Sequence, residues 1–348
     1  MGNSGVEELV DCIAVAGGTM TWKQPSLAVL LLSYVAVVQA QSNPPLRLKK
    51  TIPMSDVQGR IDHMFFDARS GRLFVAALGN NTVEVIDVKQ GNRVHTIAGL
   101  HEPQGILYLS GTNRLYVANG EDGTLRIFDA TSYKPVSSIK LGDDADNIRW
   151  DEVERKIYVG YGSGALAAVD EKGTKIGGIP LDAHPESFRL EPHANRIFVN
   201  LPESHKIAVV DKKASSVIAT WTTDDAFQNF PMALDEANRR LFVVCRRPAR
   251  LLALNIDSGH IVGTWSTVGD CDDVFYDPAM KRIYATGGEG SISVFQQQNP
   301  DHYNEVASIP TRKGARTSFF SSETQSLFVA ARRQGSETAA IYVYDVQH

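Results

Sequence analysis

One phrase, a basic residue followed by an aliphatic, an aromatic and a small aliphatic residue, returns along the chain. It reads Arg72-Leu73-Phe74-Val75, Arg114-Leu115-Tyr116-Val117, Lys156-Ile157-Tyr158-Val159, Arg196-Ile197-Phe198-Val199, Arg240-Leu241-Phe242-Val243 and Arg282-Ile283-Tyr284-Ala285. A seventh copy, Ser326-Leu327-Phe328-Val329, has serine in place of the base. Successive copies lie 42, 42, 40, 44, 42 and 44 residues apart. So regular a period marks a repeat architecture, in which each unit buries its apolar face against its neighbours. Each repeat contains four short alternating or β-branched runs bounded by Gly, Asn, Asp and Ser. In the first repeat these are residues 62–66, 73–78, 82–88 and 93–100. Four strands in about 42 residues make a propeller blade. Helical arrays would show a 3.6-residue periodicity, which the repeats do not carry.

The ends of the chain test that reading. The last repeat has three runs, residues 316–320, 327–331 and 340–346, and lacks the fourth. Residues 46–53 read like the fourth runs of the other repeats. Pairing 46–53 with 340–346 closes the ring and removes the open edges that invite aggregation. The sequence therefore predicts an all-β, seven-bladed β-propeller of four-stranded blades over residues 46–348, and a monomer.

The phrase Tyr116-Val117-Ala118-Asn119, and more loosely Phe198-Val199-Asn200, resembles the YVTN-type β-propeller repeat. The resemblance spans residues 46–348 and is nearest the exported, YncE-like branch. It implies a seven-bladed fold, often a periplasmic or surface location, and for many members no assigned reaction. WD40 repeats match less well, since Trp150-Asp151 does not recur.

Residues 27–38 are a mostly apolar run, preceded by Lys23 and followed by Gln39-Ala40 and the polar 41–45. This is the anatomy of a signal peptide, with cleavage after Ala40. The run is too short for a bilayer, which needs about 20 residues. The reading is thus a leader over 1–40, a linker over 41–45 and a periplasmic or secreted propeller without a transmembrane span. Glu7, Glu8 and Asp11 put acid where a leader wants base, and a start at Met20 would remove the anomaly. The formal charge of −5 gives no bulk attraction to nucleic acid. Of the three cysteines, Cys12 falls in the leader; Cys245 and Cys271 are either free buried thiols or a bridge that export would permit.

Repetition also separates architecture from function. Asp87, Asp129, Asp170, Asp211 and Asp345 recur at the ends of third strands and read as turn caps. The starts of the first strands, beside the central channel, hold instead Asp62, Gly105, Asp146, Glu186, Phe230, Asp272 and Arg316. No residue type is shared there, so no common folding role explains the set. His63, Gln104, Asn147, His184 and Asp273 flank it. Carboxylates converging on one axis call for a cation or for raised pKa values. His63, Asp146, His184, Glu186 and Asp272 are candidate ligands for a divalent metal ion. Arg246 and Arg332, with Arg312 and Arg316, form a candidate arc for a carboxylate or phosphate.

Two functions compete. The first is a binding or scaffold protein holding a small molecule, metal ion or protein partner at the channel mouth. The second is a lactonase or lactonising enzyme, by analogy with a related family of seven-bladed propellers. In it His184 and Glu186 would supply acid–base chemistry and Arg316 an oxyanion or substrate clamp.

Overall fold

The second strand of each repeat is apolar on both faces, and the structure shows why. In the computed structural model, which describes residues 17–20 and 43–348, Leu73, Val75 and Ala77 pack with Phe328 and Ile341 on one side. Phe74 and Ala76 pack with Leu115 and Val117 on the other. Side chains alternate across a strand, so a blade wedged between two others needs an unbroken apolar run. One such cluster fills each of the seven junctions between blades. Outer strands such as Pro135–Lys140 are largely exposed.

The chain divides into a unit of residues 1–42 and a unit of residues 43–348, the propeller. The expected leader run 27–38 and its cleavage point at Ala40 lie outside the described residues. The propeller consists of seven four-stranded antiparallel sheets. Blade 1 runs outward through Met64–Asp67, Arg72–Ala77, Thr82–Asp87 and Asn92–Ile97. Blades 2 to 6 begin with innermost strands Pro103–Leu109, Ile148–Asp151, Phe188–Leu190, Phe227–Asp235 and Cys271–Asp277. Each innermost strand lies beside its two counterparts, and that of blade 7 beside that of blade 1.

Blade 7 comprises Thr317–Ser321, Ser326–Ala331, Ala339–Val346 and, outermost, Leu46–Met54. Leu46 pairs with Val346 and Met54 with Ala339, with a bulge between Leu48 and Lys50. The ring is closed by the strand that the count of runs predicts, one residue longer than expected. No described helix is long and apolar enough to cross a membrane.

Four of the five recurrent acids, Asp87, Asp129, Asp170 and Asp211, are turn caps, whereas Asp345 pairs with Lys49 and caps no turn among the described residues. Asp129 Oδ1 accepts the Ser132 N–H at 2.9 Å, and its Oδ2 meets Arg114 Nη1 at 3.1 Å. Asp87 accepts the Gln90 N–H at 2.8 Å and also pairs with Arg72. The turn N–H groups hold Asp87, Asp129 and Asp211 below the usual carboxylate range. The bases Arg72 and Arg114 that open their phrases are thus the cross-strand partners of the caps, whereas Lys156, Arg196 and Arg240 pair with Glu154, Glu191 and Asp301. Cys245 and Cys271 are separate, buried thiols, and burial pushes Cys245 up to about 12. Trp221 stacks on Phe198 and Trp265 meets Tyr303 edge-on, within the clusters between blades. Blades 3 and 4 share a buried ion pair, Lys212 Nζ to Asp151 Oδ2 at 2.6 Å.

Candidate functional site

Backbone pairing aims the mouth residues. Asp62 and His63 precede the first regular strand pair of blade 1, yet the Asp62 N–H donates to Ala76 O at 2.8 Å and the Ala76 N–H to His63 O at 3.0 Å. The same two bonds join Asp146 and Asn147 to Gly160, and Glu186 and Ser187 to Asn200. Each acid is therefore fixed to the second strand of its own blade. Blades 2, 5 and 6 have register shifts at this level, between Pro103 and Ile106, Asn229 and Met232, and Cys271 and Asp273. Such bulges re-aim side chains.

The result is a polar cavity of about 470 Å³. His63, Gln104, Asn147 and His184 line it, together with Glu186, Asp272, Arg246 and Arg316. Asp146 is buried beside it, its Oδ1 3.7 Å from His63 Nε2. Asp273 faces a second, mainly apolar chamber of about 340 Å³, to which His63 also belongs. Arg332 lines neither; it is exposed, and its carbonyl accepts a bond from Arg312 Nη1 at 3.0 Å. Arg312 itself pairs with Glu337 at 2.7 Å. The arginines expected to form one arc are thereby divided, Arg246 and Arg316 lining the cavity and Arg312 and Arg332 lying outside it.

Arginines neutralise some of the converging acids and leave others. Arg60 meets Asp62 at 3.1 Å. Arg316 reaches Asp272 at 2.8 Å and Asp270 at 3.0 Å, and Arg246 also pairs with Asp272 while lying over the Phe230 ring. Asp146 and Glu186 have no arginine partner among the described residues. Burial, then the Glu186 charge, pushes Asp146 up to about 8. Burial, then Asp272 and Asp62, pushes Glu186 up to about 8. Asp146 Oδ2 takes a bond from Asn147 at 3.2 Å, but its buried Oδ1 accepts none.

His184 completes this pair. Its Nδ1 lies 2.6 Å from Gly162 O, and a carbonyl can only accept, so Nδ1 carries the proton and Nε2 offers its lone pair. One donor atom each from Asp146, His184 and Glu186 falls within 4.8 Å of the others. A histidine fixed by a backbone carbonyl on one nitrogen and open on the other is the arrangement of a metal-binding imidazole. One nitrogen and two carboxylate oxygens suit a borderline divalent ion such as Zn²⁺.

Several contributors escaped the sequence reading. Arg60, Asp144 and Asp270 occupy the register of His184, two residues before the mouth acids. A strand's period of two sends i and i−2 to one face, so extending the argument for His184 to every blade would have found them. Asp144 accepts from Gln104 Nε2 at 2.8 Å and stands 3.7 Å from His184 Nε2. His205, on the loop after the second strand of blade 4, packs edge-on against Phe227.

The chain matches no family model, and no curated protein sequence matches it. Among solved structures it is similar to a chain of "Crystal Structure of Mitotic Checkpoint Complex". The two are 14% identical with a TM-score of 0.74, and the match covers 97% of this chain and 99% of that one. At that identity the likeness speaks for the fold alone. Taken with the seven sheets and the closing strand, it makes this chain a seven-bladed β-propeller.

Proposed function

We propose that the protein is a binding propeller that holds a divalent metal ion at its channel mouth on Asp146, His184 and Glu186, with a small ligand completing the ion's coordination. The observation that carries this reading is the cluster of His184, whose Nδ1 is taken by Gly162 O, with two carboxyls that have no arginine partner among the described residues. A bound cation would replace the protons those carboxyls otherwise hold. The resemblance to YVTN-type repeats and the leader-like residues 1–40 support an exported, monomeric protein with 41–45 as a linker, either periplasmic or secreted.

The test is isothermal titration of the purified, metal-stripped protein with Zn²⁺ and Mn²⁺. One equivalent is expected to bind, more weakly as pH falls below 8. His184→Ala and Glu186→Gln should each weaken it at least tenfold. Absence of binding by both ions, or unchanged affinity in both variants, overturns the reading.

One observation favours the lactone chemistry: His184, Glu186 and Arg316 line the same cavity. Arg316 is committed to Asp270 and Asp272, so clamping a substrate would require it to leave both. Binding requires no such movement.

A further inference from the structure

Three residues beyond the mouth acids along the innermost strands, the channel lining changes character. Blades 1, 2, 6 and 7 place Phe65, Tyr108, Phe275 and Phe319 there, while the adjacent blades 3 and 4 place Arg149 and Arg189. All six line the second chamber, of about 340 Å³. The rings form a continuous wall, with centroids 5.7 Å apart for Phe65 and Phe319, 6.2 Å for Phe275 and Phe319 and 6.5 Å for Phe65 and Tyr108.

The arginine pair is incompletely satisfied. Arg149 donates to Ile148 O at 2.7 Å and to Asn147 Oδ1 at 3.0 Å, and its buried Nε has no partner. Arg189 makes neither a side-chain hydrogen bond nor an ion pair among the described residues. Burial, then the neighbouring Arg149, brings Arg189 down to about 9. Asp273 is the carboxyl facing them, but its Oδ2 accepts the Ser318 N–H at 2.8 Å and burial raises it well above the carboxylate range. His63 Nδ1 stands 3.9 Å from its other oxygen. Two like charges facing an apolar chamber cost stability unless an anion joins them.

We propose that this chamber is a binding site for a small aromatic carboxylate, its carboxylate held by the guanidinium groups of Arg149 and Arg189 and its ring against the phenylalanine wall. Guanidinium forks match a carboxylate with paired N–H bonds, and aromatic walls favour stacked or edge-on rings. The volume falls in the range of small-molecule sites. The site stands apart from the metal cluster, since His63 is the one residue lining both cavities.

Of the three tryptophans among the described residues, Trp150 lines the chamber and Trp221 and Trp265 do not, so quenching of its fluorescence is a local reporter. Benzoate and phenylacetate should quench it saturably in the full-length protein, with benzamide and acetate at least tenfold weaker. Arg189→Gln should weaken benzoate at least tenfold while Zn²⁺ binding at the mouth persists, which separates this site from the metal reading. Phe319→Leu, which keeps the apolar volume, should also weaken benzoate and serves if the arginine variant does not fold. Failure of both acids to bind, benzamide binding as well as benzoate, or unchanged affinity in both variants overturns the proposal.

Discussion

Glu186→Gln should flatten the pH dependence of the propeller's stability. In the folded chain Glu186 and Asp146 are each pushed up to about 8, first by burial. In the unfolded chain such groups ionise near 4. Between those limits the folded state holds protons that the unfolded state has lost. Stability is therefore greatest at low pH and falls as pH rises through the window, levelling above about 8. One proton's difference gives a slope of about 1.4 kcal/mol per pH unit. From pH 5.5 to 7.5 that amounts to about 2.7 kcal/mol at full effect, and solvent screening of the partly open Glu186 reduces it to about 1 to 1.5 kcal/mol. For a domain of this size the shift in melting temperature is about 2 to 3 °C.

The glutamine keeps the shape of the protonated acid and cannot ionise, so its melting temperature should fall less by that amount. Because the two carboxyls interact, the apparent values belong to the pair, and Asp146→Asn combined with Glu186→Gln should leave the profile nearly flat. Melts are followed by circular dichroism in chelator at constant ionic strength. The turn caps Asp87, Asp129 and Asp211 are shifted the other way and titrate below this window. Saturating Zn²⁺ should reverse the trend, since a bound ion replaces the protons and gains affinity with pH. Parallel profiles for parent and Glu186→Gln, or a variant less stable than the parent at pH 8, would refute the electrostatic account of the mouth.

Other expectations concern the ring. Deleting residues 46–54 leaves Ala339–Val346 as an open edge, and size-exclusion chromatography should show aggregation where the parent is monodisperse. Lys212→Met strands the buried Asp151 charge and should cost about 3 to 5 kcal/mol in urea unfolding, with Zn²⁺ affinity unchanged once folded. Phe328, buried between blades 7 and 1, should cost about 3 to 5 kcal/mol when truncated to alanine, read from the same curves.

How far the sequence reaches differs between these features for a physical reason. Period and strand register are local quantities. The spacing of Arg72, Arg114 and their counterparts therefore reveals seven blades, and the surplus run at residues 46–53 reveals how they close. The caps at Asp87 and Asp129 are legible for the same reason, because their partners lie within three residues. The break in register at Asp62, Asp146, Glu186 and Asp272 likewise points to the channel mouth from the sequence alone.

Whatever depends on distance across the ring was decided by the tertiary structure. That Arg316 and Arg246 both pair with Asp272, while Asp146 and Glu186 are left to His184, follows from the rotation of each blade about a common axis. Arg332 shares a sequence context with Arg246 yet lies exposed and lines neither cavity. The bond from His184 to Gly162 O spans two blades, and the meeting of Arg149 and Arg189 with four rings spans six. Repeats encode how one blade pairs with itself, but the chemistry at the axis comes from single side chains on different blades. Only closure of the ring sets their separations.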